Sequence, residues 1–315
     1  MKISVLDAST LGDDLELSRL GELGEVKIYD TTSPAETEER IAGSEVVIVN
    51  KVKLGGEILS HASALKLICL AATGYDNVDT EFCRKHGIKV SNVVGYSTAS
   101  VTQVTLAGVL ELATHIREYS AYVAGGEYSA SGKANKVTPV YYELAGKTWG
   151  IVGLGNIGRM VAGVARAFGC RVIACKRKPV RDIECVGLEE LCRRSDIISI
   201  HTPLTPETRA LIGKEQLSCM KNNVILYNAA RGAVTDERAV ADAVKNGEIG
   251  AFGSDVYSME PFGTDHPMYE IKSLPNVCLT PHMAWGSYEA RNRCIDEIIM
   301  NIKAYISGEY RNPVA

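Results

Sequence analysis

Short runs of apolar, often β-branched residues alternate along the chain with longer stretches in which apolar and charged positions recur at helical spacing. In the first half the apolar runs fall at residues 3–6, 26–29, 46–50, 65–71 and 89–93, and segments 15–23, 35–41 and 80–86 read as helices or turns. The runs are continuous rather than alternating, which is the pattern of strands covered on both faces. Strands that alternate with helices in this way predict parallel sheets. The second half repeats the pattern more strongly, with six runs at 148–152, 171–175, 197–200, 224–228, 251–255 and 277–280. Six strands with helices between them is the count of a full dinucleotide-binding sheet. Between the halves, residues 100–119 carry a long helical pattern. Residues 125–142 come next as a weakly patterned stretch bearing Gly, Ser and Lys. So long a connection is unusual in a compact monomer, and it reads as an arm that packs on a partner subunit.

Composition adds limits to this picture. A chain of 315 residues exceeds one ordinary core, so two domains are expected. Apolar residues make up 46% and charged residues 23%, as in a globular protein. A net charge of -4 and a pI near 5.9 argue against a general binder of nucleic acid or anionic membranes. No apolar run reaches the roughly 18 residues that a membrane span needs. The chain enters its first strand pattern directly, so no leader is expected. The nine cysteines are odd in number and form no CxxC pair. Their usage fits a reducing cytoplasmic setting and gives no metal-ligand spacing.

The chemistry begins at Gly153-Leu154-Gly155-Asn156-Ile157-Gly158, which follows the apolar run 148–152 and precedes a helical run at 159–168. A GxGxxG alone is weak evidence, but here a strand precedes it, a helix follows it and another strand comes next. Gly153 suits the tight turn, Gly155 the approach of a pyrophosphate, and Gly158 close packing of helix on strand. The helix N-terminus offers N–H groups to phosphate. The alternative is a glycine-rich turn in a sheet that binds nothing.

Three polar positions stand at the ends of predicted strands, where open parallel sheets bind ligands. Arg231 follows the run that ends in Asn228-Ala229-Ala230, Asp255 ends the next run with Glu260 just beyond, and His282 follows Thr280-Pro281. Each alone also reads as a capping cation, a solvated carboxylate or a structural histidine. Together they supply the groups that hydride reduction of a keto acid requires. The alkoxide needs a proton, which histidine provides near working pH. A carboxylate beside the ring orients it and stabilises the imidazolium. A guanidinium grips a carboxylate through two parallel hydrogen bonds.

Over essentially its whole length the chain resembles the D-isomer-specific 2-hydroxyacid dehydrogenase family. The matching stretches are Ala72-Thr73-Gly74-Tyr75-Asp76-Asn77-Val78-Asp79, the glycine turn, His201-Thr202-Pro203-Leu204-Thr205, Asn228-Ala229-Ala230-Arg231-Gly232, Asp255-Val256 with Glu260-Pro261, and Thr280-Pro281-His282. The resemblance implies an α/β fold of two Rossmann-like doubly wound parallel-sheet domains. A flavodoxin-like substrate domain spans 1–98 and 287–315, and a dinucleotide-binding domain spans 99–286 with a dimerisation helix and arm. It implies that His282 is the general acid/base, Glu260 its partner and Arg231 the group that binds substrate. Ala72, Thr73, Gly74 and Lys51 would bind substrate as well. Cofactor contacts would come from Gly153, Gly155, Asn156, Ile157, Gly158, His201, Thr202, Pro203, Thr208, Asn228, Ala229, Ala230, Asp255 and Thr102. Hinge crossings would lie near 96–102 and 285–288, and the assembly would be a homodimer.

Asn92-Val93-Val94-Gly95-Tyr96-Ser97-Thr98, Asn50-Lys51 and His282-Met283-Ala284-Trp285-Gly286-Ser287 are similar to the glycerate dehydrogenase/hydroxypyruvate reductase branch. The expected substrate is a hydroxypyruvate- or glyoxylate-like 2-keto acid, with a broader range of 2-keto acids as the alternative. Trp285 either narrows the pocket or packs a hinge. A dinucleotide-sensing corepressor is the non-enzymatic rival, and the absence of disordered recruiting tails argues against it. Cofactor choice departs from the commonest pattern of the fold. No acid occurs between Gly158 and Asp182, and the window that usually binds the ribose 2′-hydroxyl reads Cys175-Lys176-Arg177-Lys178. Lys176, Arg177 and Lys178 would neutralise a 2′-phosphate, so NADP is expected over NAD, with a solvated basic turn as the alternative.

Overall fold

The computed structural model describes residues 1–178 and 180–314; Pro179 and Ala315 lie outside the described residues. The chain divides into two compact units, Met1–Ser97 with Gly286–Ala315, and Thr98–Trp285, each boundary one residue from the expected one.

The first unit holds a five-stranded parallel sheet of β1 (Lys2–Val5), β2 (Glu25–Ile28), β3 (Val46–Val49), β4 (Leu67–Leu70) and β5 (Lys89–Ser91). The order is β2-β1-β3-β4-β5, the doubly wound order of flavodoxin-like sheets. β3 and β4 are buried along their whole length, as their unbroken apolar runs require. Segment 15–23 is a 3-10 helix, Leu17–Leu23, rather than an α-helix. The helix Tyr288–Ile306 belongs to this unit and buries Ile295, Ile298, Ile299 and Ile302.

The second unit holds a seven-stranded parallel sheet: β6 (Thr148–Val152), β7 (Arg171–Cys175), β8 (Glu184–Cys185), β9 (Ile197–Ile200), β10 (Ile225–Asn228), β11 (Ala251–Ser254) and β12 (Val277–Leu279). The order β12-β11-β10-β9-β6-β7-β8 is that of a dinucleotide-binding sheet with one strand added at the β12 edge. The sequence pattern misses β8, a two-residue edge strand too short to leave a periodic signal. The helical pattern expected over 100–119 is two helices, Thr98–Thr114 and Ile116–Ala124. They break at His115, whose backbone is left-handed at φ 52. Segment 125–142 carries only the short helix Glu127–Ala130, and Val137, Val140, Tyr141 and Tyr142 on it are exposed.

All nine cysteines are free thiols. Burial pushes the thiols of Cys192 and Cys294 up to about 12. Among the described residues no helix is long and apolar enough to cross a membrane.

Candidate active site

In the second sheet the strand order reverses between β6 and β9, and the segments after their carboxyl ends meet. The glycine turn follows β6, and His201-Thr202-Pro203 follows β9. A Cβ on Gly153 (φ 94) would stand 2.6 Å from Thr202 N, so only glycine lets the two segments touch. A Cβ on Gly158 would stand 2.2 Å from Gly153 O, which is how the helix Asn156–Ala167 seats against the turn. At Gly155 a Cβ would meet nothing within 4 Å. Gly155 is the N-cap of that helix and makes no side-chain cap, so backbone donors face an open space. Backbone donors at a helix N-terminus beside open space fit the pyrophosphate of a dinucleotide.

His201 Nε2 stands 3.0 Å from Ser199 Oγ, which accepts the Trp149 Nε1–H at 2.9 Å. Burial drives the imidazole down to about 3, and His201 Nδ1 is buried with no hydrogen-bond partner. The Thr208 hydroxyl donates to Pro203 O at 2.7 Å and accepts the Thr205 N–H at 2.7 Å. It therefore closes the loop that carries His201 to Pro203.

The remaining polar groups follow β10, β11 and β12. Asn228 ends β10 with its side chain fully buried. Its amide donates to Arg231 O at 3.0 Å and accepts the Ala230 N–H at 3.0 Å. Asn228 is thus a brace that shapes the turn into Arg231. Arg231 Nη1 donates to Ala230 O at 2.9 Å.

Asp255, 2% exposed, accepts the Thr280 hydroxyl at 2.6 Å, the Met283 N–H at 2.9 Å and the Ala284 N–H at 2.8 Å. Burial raises its carboxyl above the ordinary range in spite of these donors. Asp255 therefore pins both amides that follow His282, whose own backbone is left-handed at φ 52. His282 Nδ1 reaches Glu260 Oε2 at 2.6 Å, and Glu260 Oε1 accepts the Tyr257 N–H at 2.9 Å. Trp285 Nε1 donates to His282 O at 2.9 Å, so the indole packs on the histidine turn.

Thr102 is placed apart from this group. It is 4% exposed, its hydroxyl donates to Thr98 O at 2.8 Å, and it lies beside Leu106, Trp149, Val161 and Val164. These neighbours place it on the flank of the glycine helix. Lys176, Arg177 and Lys178 are exposed after β7, and Lys176 Nζ donates across to Leu154 O at 3.3 Å.

In the first unit, the Thr73 hydroxyl donates to Val93 O at 2.7 Å, Asn92 Nδ2 to Thr73 O at 2.7 Å, and Val93 N to Ala72 O at 3.0 Å. The Ala72-Thr73-Gly74 turn is thereby fixed to the end of β5. Asp7, which sequence reasoning misses, is 4% exposed just after β1. Its carboxylate accepts the N–H groups of Asn50 at 2.9 Å, Lys51 at 2.5 Å and Val52 at 3.1 Å. The available signal was an acid at the carboxyl end of an apolar strand.

The family model described as "D-isomer specific 2-hydroxyacid dehydrogenase, NAD binding domain" matches residues 106–284. The chain is 36% identical to a glycerate dehydrogenase of Methylorubrum extorquens, over 99% of this chain and 98% of that protein. It is 35% identical to a hydroxypyruvate reductase of Blautia hydrogenotrophica, over 100% and 99%. Among solved structures it is similar to an acyclic imino acid reductase in complex with NADPH and D-Arg, at a TM-score of 0.89, 30% identity and full coverage of both chains. With its paired His282 and Glu260, its glycine turn and these full-length relatives, the chain belongs to the D-isomer-specific 2-hydroxyacid dehydrogenase family.

Proposed function

We propose that the protein reduces a small 2-keto acid of the hydroxypyruvate or glyoxylate kind to the D-2-hydroxy acid, with a nicotinamide dinucleotide as cofactor. The observation that carries this reading is the 2.6 Å contact of His282 with Glu260 on the same strand-end edge as the glycine turn and Arg231. Gly153, Gly155, Asn156, Ile157 and Gly158 would hold the pyrophosphate, with His201, Thr202, Pro203, Ala229 and Ala230 lining the same edge. The reduced nicotinamide supplies the hydride when bound. Arg231 grips the substrate carboxylate through its planar fork and polarises the neighbouring carbonyl. His282 Nε2 gives its proton to the carbonyl oxygen as the alkoxide forms, and Glu260 balances the imidazolium. Asp255 and Asn228 act through the turns they brace. Lys51 and the turn Ala72-Thr73-Gly74 are the proposed substrate contacts of the first unit.

Three finer statements belong to the same proposal. Lys176 and Arg177, with Lys178, favour NADP over NAD. The exposed apolar side chains of the arm 125–142 suit a homodimer, since an apolar surface of that kind is covered in a stable state. The thiol usage suits the cytoplasm.

The test is a kinetic panel of glyoxylate, hydroxypyruvate, pyruvate and bulkier keto acids with both reduced cofactors, read as loss of cofactor absorbance. Turnover is expected with hydroxypyruvate or glyoxylate. His282→Ala should lose about 10²–10⁴-fold in kcat with cofactor affinity kept. A flat trace across the panel, with cofactor still binding, overturns the proposal.

A further inference from the structure

A second group of polar side chains is buried outside the strand-end cluster. Glu237, the first residue of helix Glu237–Lys245, is 9% exposed, and His266, the N-cap of helix Pro267–Ile271, is 6% exposed. Glu237 Oε1 accepts the Ser258 N–H at 3.0 Å; Oε2 accepts the Ser258 hydroxyl and faces His266 Nε2 at 3.1 Å. The Met268 N–H donates to His266 Nδ1 at 3.3 Å, so the ring proton lies on Nε2, between Glu237 and Ser258 Oγ, the latter at 3.3 Å. The Ser258 hydroxyl proton is committed to Glu237, which leaves this serine no nucleophilic role.

Burying a carboxylate costs free energy that its partners must offset, and an apolar side chain often serves stability as well. The donors that meet Glu237 come from the segment 258–266. That segment carries Glu260. Ser258 stands two residues ahead of it, and the Tyr257 N–H donates to Glu260 Oε1 at 2.9 Å. On the other side, the Tyr257-Ser258 main chain lies so close to Gly232 that a Cβ there would meet Tyr257 C at 2.0 Å and Ser258 N at 2.2 Å. Gly232 follows Arg231 directly. The Tyr257 hydroxyl donates to Thr280 O at 2.9 Å, two residues ahead of His282. The main chain at 257–258 is therefore clamped between Gly232 and Glu237, and the clamp sets where the Glu260 carboxylate stands.

The geometry points to Glu237, with His266 behind it, as a positioning residue of the proton-transfer pair. Through Ser258 it holds Glu260 Oε2 on His282 Nδ1. This inference rests on the proposed role of His282 as proton donor.

Glu237→Gln replaces one acceptor oxygen with an NH₂ that faces donors on Ser258 and His266, so it releases the clamp while conserving shape. With the full-length enzyme, hydroxypyruvate and NADPH, kcat is expected to fall by about 10- to 100-fold, because small misplacements of reacting groups are costly. KM for hydroxypyruvate and the Kd for NADPH should stay at wild-type values. In a Glu260→Gln background the same substitution should lower kcat by less than about twofold, the signature of two residues acting as one unit. Ser258→Ala removes a single donor and carries the same test if Glu237→Gln does not fold. A role confined to stability would make the losses multiply in the double variant. Multiplying losses, or a Glu237→Gln enzyme with wild-type kcat, overturn the inference. Near-normal turnover of His282→Ala overturns the proton-donor role itself, whatever the cycle shows.

Discussion

His282 Nδ1 stands 2.6 Å from Glu260 Oε2, so the Glu260 carboxylate accepts a hydrogen bond from the Nδ1–H and leaves Nε2 to exchange the proton. Glu260→Gln takes away the negative charge that stabilises the imidazolium and the acceptor that orients the ring. kcat for keto-acid reduction should therefore fall by about 10-fold or more, with KM nearly unchanged. A kcat close to that of the wild type would remove Glu260 from the mechanism.

Arg231 enters an extended segment (φ -144, ψ 142) whose preceding turn is held by the buried Asn228 amide. Arg231→Lys keeps the positive charge and loses the planar fork that grips a carboxylate in two places. KM for keto acids should rise by roughly 10-fold or more and kcat should fall, at the scale of a lost charged hydrogen bond. Kinetics close to wild type would place the substrate carboxylate on the turn Ala72-Thr73-Gly74 instead.

Much of this architecture is legible in the chain because continuous apolar runs have few solutions other than buried parallel strands. The glycine turn is legible for a related reason, since Gly153 and Gly158 each stand where a side chain would strike backbone. Three kinds of feature escape such reading. β8 is two residues long, and a run so short carries no periodicity. His115 breaks a helix whose apolar pattern continues through it. The braces are pairings of distant residues: Asp7 with residues 50–52, and Glu237 with Ser258 and His266. Each of these side chains reads as an ordinary acid or histidine until tertiary folding closes the gap. Asn228 and Thr102 likewise carry side-chain bonds to the main chain that their motif positions do not reveal.

Asp196 accepts the Thr148 N–H and Lys221 Nζ, each at 2.8 Å. Burial works against its charge, but the bonds from Lys221 and Thr148 outweigh burial and hold the carboxyl below its ordinary value. A depressed folded-state value adds stability that is present above the unfolded value, 3.8, and is lost as pH falls through the folded one. Lys221→Met should therefore lower stability at neutral pH, by up to about 1 kcal/mol because Lys221 is partly exposed. The deficit relative to wild type should shrink as pH drops below the ordinary carboxylate range. Denaturant melts from pH 7 to pH 3 check this, and a constant deficit across that range refutes the pairing as its cause.

Cofactor choice turns on the residues just beyond β7. In a site that prefers NAD, an acid at the end of this strand accepts the ribose 2′-hydroxyl and repels a 2′-phosphate. Here the strand ends in Cys175, and Lys176, Arg177 and Lys178 come next, all exposed. Lys176 Nζ donates to Leu154 O at 3.3 Å, which lays its charge against the glycine turn. Arg177 lies within the electrostatic reach of Glu207, whose carboxyl is held low by the Thr205 hydroxyl and its own backbone N–H, with the Arg177 charge adding to them. The Arg177 charge therefore acts on the loop after β9. The proposed preference for NADPH rests on these cations, since Arg grips phosphate oxygens in pairs and residues 175–178 include no acid to accept the 2′-hydroxyl. Neutral residues at both Lys176 and Arg177 should raise KM for NADPH at least about 10-fold, the scale of one charged hydrogen bond, and leave KM for NADH nearly unchanged. A wild-type enzyme with a higher kcat/KM for NADH than for NADPH would show that the basic cluster is only a solvated turn.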